Sequence, residues 1–317
     1  MCRPLPAHPQ VSPFSATWVA EQAQPGTQPF IPPIGVVDAR HADPNDSALP
    51  LYADPGTAGI PHTVHCGGVK WSAYVCDKYH MNGVTVRIPR GAFPEGGSDH
   101  HLSVEDDARA REFDFWGASE PSDVPGSPFD TLTAGQCPYD GDGTDCSGAT
   151  ATNIATSLGR IDPALLIARE HDPHGTLPYA IATVLLCAAP EWVYPATGSD
   201  GANTNATPAC HDHLGRDGRP PEGVRWFLDL SDAEIDATAN APYDKVILRT
   251  LDREHYGGTV TDTNWAGAPG PVLVTLRDGW EPLYREVGAA PGSRGVPVTT
   301  LGFDLTQKMK FCTNGTC

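Results

Sequence analysis

The sequence predicts a mainly β protein, a β-sandwich or jelly roll with a few short helices, and three features predict it. Short stretches of alternating apolar and polar residues recur along the chain. Turn formers punctuate them, with 33 glycines and 32 prolines in 317 residues. Glycine supplies positive φ and proline presets turn geometry, so this usage suits many strands joined by ordered turns. No internal repeat or solenoid period is present.

Residues 1–35, with eight prolines and few charges, read as an extended arm or tether. Trp18, Val19, Phe30 and Ile31 offer apolar surface by which the arm could instead lie against the domain. Residues 36–317 are expected to form a single β-sandwich domain with disulfide-stapled loops. At 83–89, Val84, Val86 and Ile88 alternate with Thr85 and Arg87, a half-buried strand that stops at a proline. A hairpin follows. Leu102 and Val104 share one face of a strand at 101–105, a turn falls near 106–110, and a second strand occupies 112–116. In that second strand Phe113 and Phe115 share one face while Glu112, Asp114 and Trp116 share the other.

A small-residue helix is expected at 147–158, and a second short helix opens at Asp162 with Pro163 in its first turn. The run 179–187 is apolar on both faces and belongs in mid-sheet. Val224, Trp226, Leu228 and Leu230 alternate as another strand. At 242–251, Tyr243, Ile247 and Leu251 are spaced by four with Val246 beside them, which predicts an amphipathic helix. Strands return at 259–263 and 272–276.

A formal net charge of −18, from 39 acidic and 21 basic residues, repels phosphate backbones and argues against nucleic acid as a partner. No run approaches the ~20 apolar residues of a membrane span. Nine cysteines imply an oxidising, extracellular setting. Eight fall into sequence-near pairs: Cys66 with Cys76, Cys137 with Cys146, Cys187 with Cys210, and Cys312 with Cys317. Sequence alone does not determine that pairing. Cys2, left over, reads as the lipid-bearing residue of a mature exported lipoprotein, with Met1 a start added in place of a removed signal. A spare thiol is the alternative. A membrane enters only through such an anchor.

The hairpin carries the most suggestive chemistry. Two residues of strand rise separate Glu112 from Asp114 by ~7 Å along the backbone. Side-chain rotamers bring that within reach of either glycosidase spacing, ~5–5.5 Å for retention or ~6.5–9.5 Å for inversion. Like charges on one face raise one pKa and leave the other group ionised, which makes an acid and a base from similar residues. Trp116 on the same face offers a platform for the C–H face of a sugar ring. The alternative is a solvated face on a strand whose phenylalanines fill the core.

Asp99, His100 and His101 stand at the strand entrance and could join that site, or bind a metal with His62 and His65. His171 with His174 and His211 with His213 also have ligand-like spacing, though no set has the closed pattern of a zinc site. Asp140, Asp142 and Asp145 lie in a glycine-rich loop whose oxygens suit Ca2+. That ion would be structural, and no cofactor is required. Asp200 and Asp262 are further acids that could face the same cleft. No G-x-S-x-G elbow, Walker loop or dinucleotide fingerprint is present.

Several of these phrases together resemble a group of secreted, mainly actinobacterial proteins found in glycan-acting settings. They are D-H-x-L-x-V-x-D followed by E-[YF]-D-F-W at 99–116, D-G-D-G with S-G-A-T-A at 140–151, P-A-T-x-S-D-G at 195–201, and P-x-G-x-R-x-x-L-D at 221–229. The resemblance covers about 95–265 and implies a jelly-roll, carbohydrate-active protein. Where the group has histidine in H-A-L, this chain has Tyr179 in Y-A-I. The 112–116 strand is also similar to the E-x-D-x-x-E strand of laminarinase-type hydrolases, but Gly117 replaces the third carboxylate. Strands like those of jelly-roll alginate lyases are missing.

The expectation is therefore a secreted or lipid-anchored, glycan-active enzyme, a glycoside hydrolase, acting on a polysaccharide or cell-surface glycan. Glu112, Asp114 and Asp99 would be catalytic, with Trp116, His101, Tyr179, Asp200 and Asp262 binding substrate. Two rivals remain: a non-catalytic carbohydrate-binding or adhesive surface protein, and a polysaccharide lyase with Tyr179 or a histidine as base.

Overall fold

The computed structural model describes residues 3–23, 49–53, 58–67, 80–96, 100–138, 159–196, 198–199, 201, 218–238, 240–263, 270–276, 279–286, 288, 303–313 and 317. Among them strand outweighs helix, in three sheets that each mix parallel and antiparallel pairs.

The first sheet runs β1 (Leu51–Tyr52), β4 (Leu102–Asp106), β5 (Arg111–Trp116) and β7 (Thr133–Pro138) in that spatial order. The second runs β3 (Thr85–Ile88), β2 (Ile60–Cys66) and β6 (Pro128–Thr131). Period-two alternation builds a core between them: Val64, Val86 and Ile88 from the second sheet share one apolar cluster with Leu102, Val104, Phe113 and Phe115 from the first. The rings of Phe115 and Phe129 meet edge to face, with centroids 4.9 Å apart. The hairpin forms as its alternation predicts, with β4 antiparallel to β5 and a turn between Asp106 and Arg111.

The third sheet has the order β11 (Val272–Leu273), β8 (Ile181–Leu185), β10 (Gly258–Thr263), β9 (Arg225–Leu228) and β12 (Met309–Phe311). Its core takes side chains from α1 (Ser15–Gln22), α2 (Pro163–Arg169), α3 (Asp232–Asp236), α4 (Pro242–Leu251), α5 (Glu281–Glu286) and α6 (Leu305–Lys308). As expected, β8 lies in mid-sheet and is apolar on both faces. Local chemistry starts the helices where the sequence places them. The carboxylate of Asp162 accepts the Ala164 N–H at 2.8 Å ahead of Pro163, and Ser231 with Glu234 forms a reciprocal capping box before α3. Trp226 packs closely on β10 because Gly258 opposite it has no side chain: a Cβ there would fall 2.3 Å from the indole.

Residues 3–23 are not the extended tether that their prolines suggest. They include α1, whose Trp18 and Val19 are buried in the main core, and Trp18 meets Phe311 edge to face at 5.6 Å. The apolar surface of Trp18 and Val19 outweighs the extending effect of the prolines, which fall outside the helix. Phe30, Ile31 and the helix expected at 147–158 lie outside the described residues.

Cys312 and Cys317 form the disulfide expected of them, and Cys66, Cys137 and Cys187 are disulfide-bonded as well. No helix among the described residues is long and apolar enough to cross a membrane.

Candidate functional site

The hairpin register decides the site. Pairing Asp106 with Arg111 places Ser103 opposite Asp114 and Glu105 opposite Glu112. Since Leu102, Val104, Phe113 and Phe115 turn into the apolar cluster shared with the second sheet, Ser103, Glu112 and Asp114 project from the other face. That face is not solvated: Glu112 and Asp114 are each 1 % exposed.

Covering them is Arg160, itself fully buried, which leads into the isolated bridge between Ile161 and Thr275 beside the third sheet. Its Nη2 donates to Ser103 Oγ at 3.2 Å, and Ser103 donates in turn to Asp114 Oδ1 at 2.7 Å. The guanidinium nitrogen lies 4.0 Å from the same carboxylate oxygen. Glu112 is hydrogen-bonded to Asp114. Burial pushes the Glu112 pKa well above the ordinary carboxylate range, and the negative charges of Asp114 and Glu105 push it the same way against the pull of Arg160. Burial and the neighbouring charges therefore favour the protonated form of Glu112 in its hydrogen bond with Asp114. Burial also lowers the pKa of Arg160, which Asp114, Glu112 and Glu95 oppose.

Two more of the expected residues reach the cluster through Arg160. The Tyr179 hydroxyl donates to the Arg160 backbone carbonyl at 2.7 Å. His101 Nδ1 lies 2.7 Å from Glu95 Oε1, a nearly buried pair, and the Glu95 charge is felt at Arg160. Trp116, half-buried, ends β5 where the chain leaves the first sheet for the second; its carbonyl accepts from Leu132 N at 2.9 Å and Thr131 Oγ1 at 2.8 Å. Asp262 belongs to β10 in the third sheet, where it is half-buried beside an irregularity in the β8 register and accepts from Thr263 N at 2.6 Å. Asp99, Asp200, Asp140, Asp142 and Asp145 lie outside the described residues.

Among the described residues the histidine metal pairings do not converge; His211 and His213 lie outside them. His62 is buried with its Nδ1 3.2 Å from Ser127 Oγ, while His65, on the opposite face of β2, is exposed beside Asp130. Burial lowers the pKa of His62. His171 and His174 are exposed beside Glu170 and Asp232 respectively. Among the described residues no group of three or more histidines, cysteines and carboxylates is placed to hold a metal ion.

Arg160, Ser103 and Glu95 are the members that pattern reading missed. Ser103 was within reach, because the turn sets the register that pairs it with Asp114. Arg160 and Glu95 stand in irregular segments and carry no periodic signal.

The arrangement couples a carboxyl whose burial favours the protonated form to a second carboxyl, which a cation and a hydroxyl hold. That is the polarity an acid/base pair needs. No family model, curated protein or solved structure matches this chain.

Proposed function

We propose that the protein is a glycan-active enzyme of the extracellular space, a glycoside hydrolase whose acid is Glu112 and whose nucleophile or base is Asp114. What supports this reading is the geometry of the carboxyl pair: Glu112 is buried and hydrogen-bonded to Asp114, burial raises its pKa, and Ser103 and Arg160 orient Asp114. In hydrolysis Glu112 would give its proton to the leaving glycosidic oxygen while Asp114 attacks the anomeric carbon or activates a water, so that the water's atoms end on the two products. Tyr179 and the His101–Glu95 pair would hold Arg160 in place. The disulfides support an oxidising setting. The jelly-roll arrangement, the lipid anchor at Cys2 and a structural Ca2+ at Asp140, Asp142 and Asp145 belong to the same proposal.

One observation favours a second reading, a non-catalytic glycan binder. Both carboxyls are closed off from solvent and hydrogen-bonded to each other, closer than either glycosidase spacing, so hydrolysis requires that substrate binding open the cluster and part them. A structural role for a buried, charge-balanced network requires no opening.

Incubation with a panel of polysaccharides separates the two. New reducing ends that disappear in Glu112→Gln and Asp114→Asn support hydrolysis. Retention on glycan with no product supports the binder, and unsaturated uronates would replace hydrolysis with elimination.

A further inference from the structure

The chain carries a second surface suited to sugar, away from the buried carboxyls. Trp192 and Tyr194, two residues apart, are 52 % and 59 % exposed, while Val193 between them packs against the main core. Rings that large are usually buried, so two together on one short segment call for an explanation.

The segment is rigidly seated. Val193 N donates to Glu222 O at 2.8 Å, Trp192 forms a bridge with Glu222, and Ala196 N closes back on Val193 O at 3.0 Å. Ser199 Oγ donates to Ala189 O at 2.6 Å and lies 3.0 Å from Glu222 Oε1, which ties down the far side of the loop. Beneath it Gly223 adopts φ +85°, and a Cβ there would come within 1.8 Å of Val193 O. The backbone of this ledge approaches its support as closely as glycine allows. Rings held on such a support lose little further freedom on binding.

We propose that Trp192 and Tyr194 form a binding platform for a neutral glycan chain. Sugar rings present flat C–H faces that stack on aromatic faces, and their hydroxyls stay in water. Nucleic-acid bases also stack, but a net charge of −18 and the exposed Glu191 alongside repel phosphates. A stable protein partner buries on the order of 1,000 Å² or more, and here the apolar surface is two rings bordered by that acid. The choice of a sugar rests on the glycan reading above, whereas the ledge shares no residue with the Arg160 cluster.

The test is affinity electrophoresis in native gels containing hydroxyethylcellulose, galactomannan or arabinoxylan. The wild type should be retarded by at least one of them, with the dissociation constant raised about tenfold or more in Trp192→Ala and by a smaller factor in Tyr194→Ala. Both side chains are exposed, so circular dichroism and melting should match the wild type. Absence of retardation in every gel, or retardation unchanged in Trp192→Ala, overturns the platform. A wild type that releases reducing ends yet is never retarded sinks the platform and leaves the hydrolytic reading intact. Retardation lost in Trp192→Ala without any product does the reverse.

Discussion

Asp114 and Arg160 face each other at 4.0 Å with the Ser103 hydroxyl bonded to both. One belongs to the hairpin of the first sheet and the other to the segment entering the third sheet. The pair therefore joins two parts of the fold as well as orienting a carboxylate.

Replacing Arg160 with methionine should leave Asp114 buried without its cation and cost about 3–5 kcal/mol. Ser103→Ala removes one neutral-to-charged hydrogen bond and should cost about 1–3 kcal/mol. Urea denaturation at neutral pH measures both. Equal losses in the two variants would mean that the hydroxyl, not the ion pair, holds the carboxylate.

Glu112 supplies a pH signature. Its folded pKa is raised above the ordinary 4.5, so the folded state binds the extra proton. The resulting stabilisation is complete below 4.5 and is lost as pH rises through the folded value. Glu112→Gln mimics the protonated acid. It should match the wild type in acid and become progressively more stable than it as pH rises, measured by melting temperature. A variant uniformly less stable at every pH would show that glutamine breaks the bond to Asp114 instead of imitating it.

The hairpin shows how much of the site was legible. Alternation at Leu102–Asp106 and Arg111–Trp116 assigned each side chain to a face, and the short turn set the register. What alternation cannot tell is whether a polar face meets water or another layer. Glu112 and Asp114 meet Arg160, which arrives from about fifty residues further along the chain in an irregular segment. The mid-sheet position of β8 and the start of α2 were likewise readable, from apolarity on both faces and from the Asp162–Pro163 cap. For residues 3–23 the proline count, a local signal, could not choose between a tether and an arm packed on the domain, because Trp18 is buried by partners far along the chain.

A second buried acid should add to the loss of stability between acid and neutral pH. Burial pushes Asp244, on the first turn of α4, up to about 8, with the Glu286 charge adding to it and hydrogen bonds from Ala241 N–H and Asn240 opposing it. The sign is that of Glu112: stabilising below the unfolded value of 3.8, fading as pH climbs to about 8. Asp244→Asn should flatten the decline between those values by about 1.4 kcal/mol per pH unit, seen in denaturation midpoints across the range. An unchanged slope would place the Asp244 carboxyl in contact with water.

Trp18→Ala should cost about 3–5 kcal/mol, the loss expected of a buried tryptophan. Guanidinium denaturation checks it. A change under about 1 kcal/mol would restore the tether reading of the N-terminal segment.

The contact of α1 with β12 has a consequence for how the chain is made. Val11 bridges Cys312, Ser12 N reaches Phe311 O at 2.8 Å, Phe311 N returns to Ser15 Oγ at 2.9 Å, and Thr313 N bonds Gln10 O at 3.0 Å. Residues 10–15 are thus clasped by residues 311–313, which are synthesised well after them. Until Met309–Phe311 is synthesised, the indole of Trp18 lacks the ring it packs against. Nascent chains truncated before Met309 should therefore remain open to proteases and binders of apolar surface.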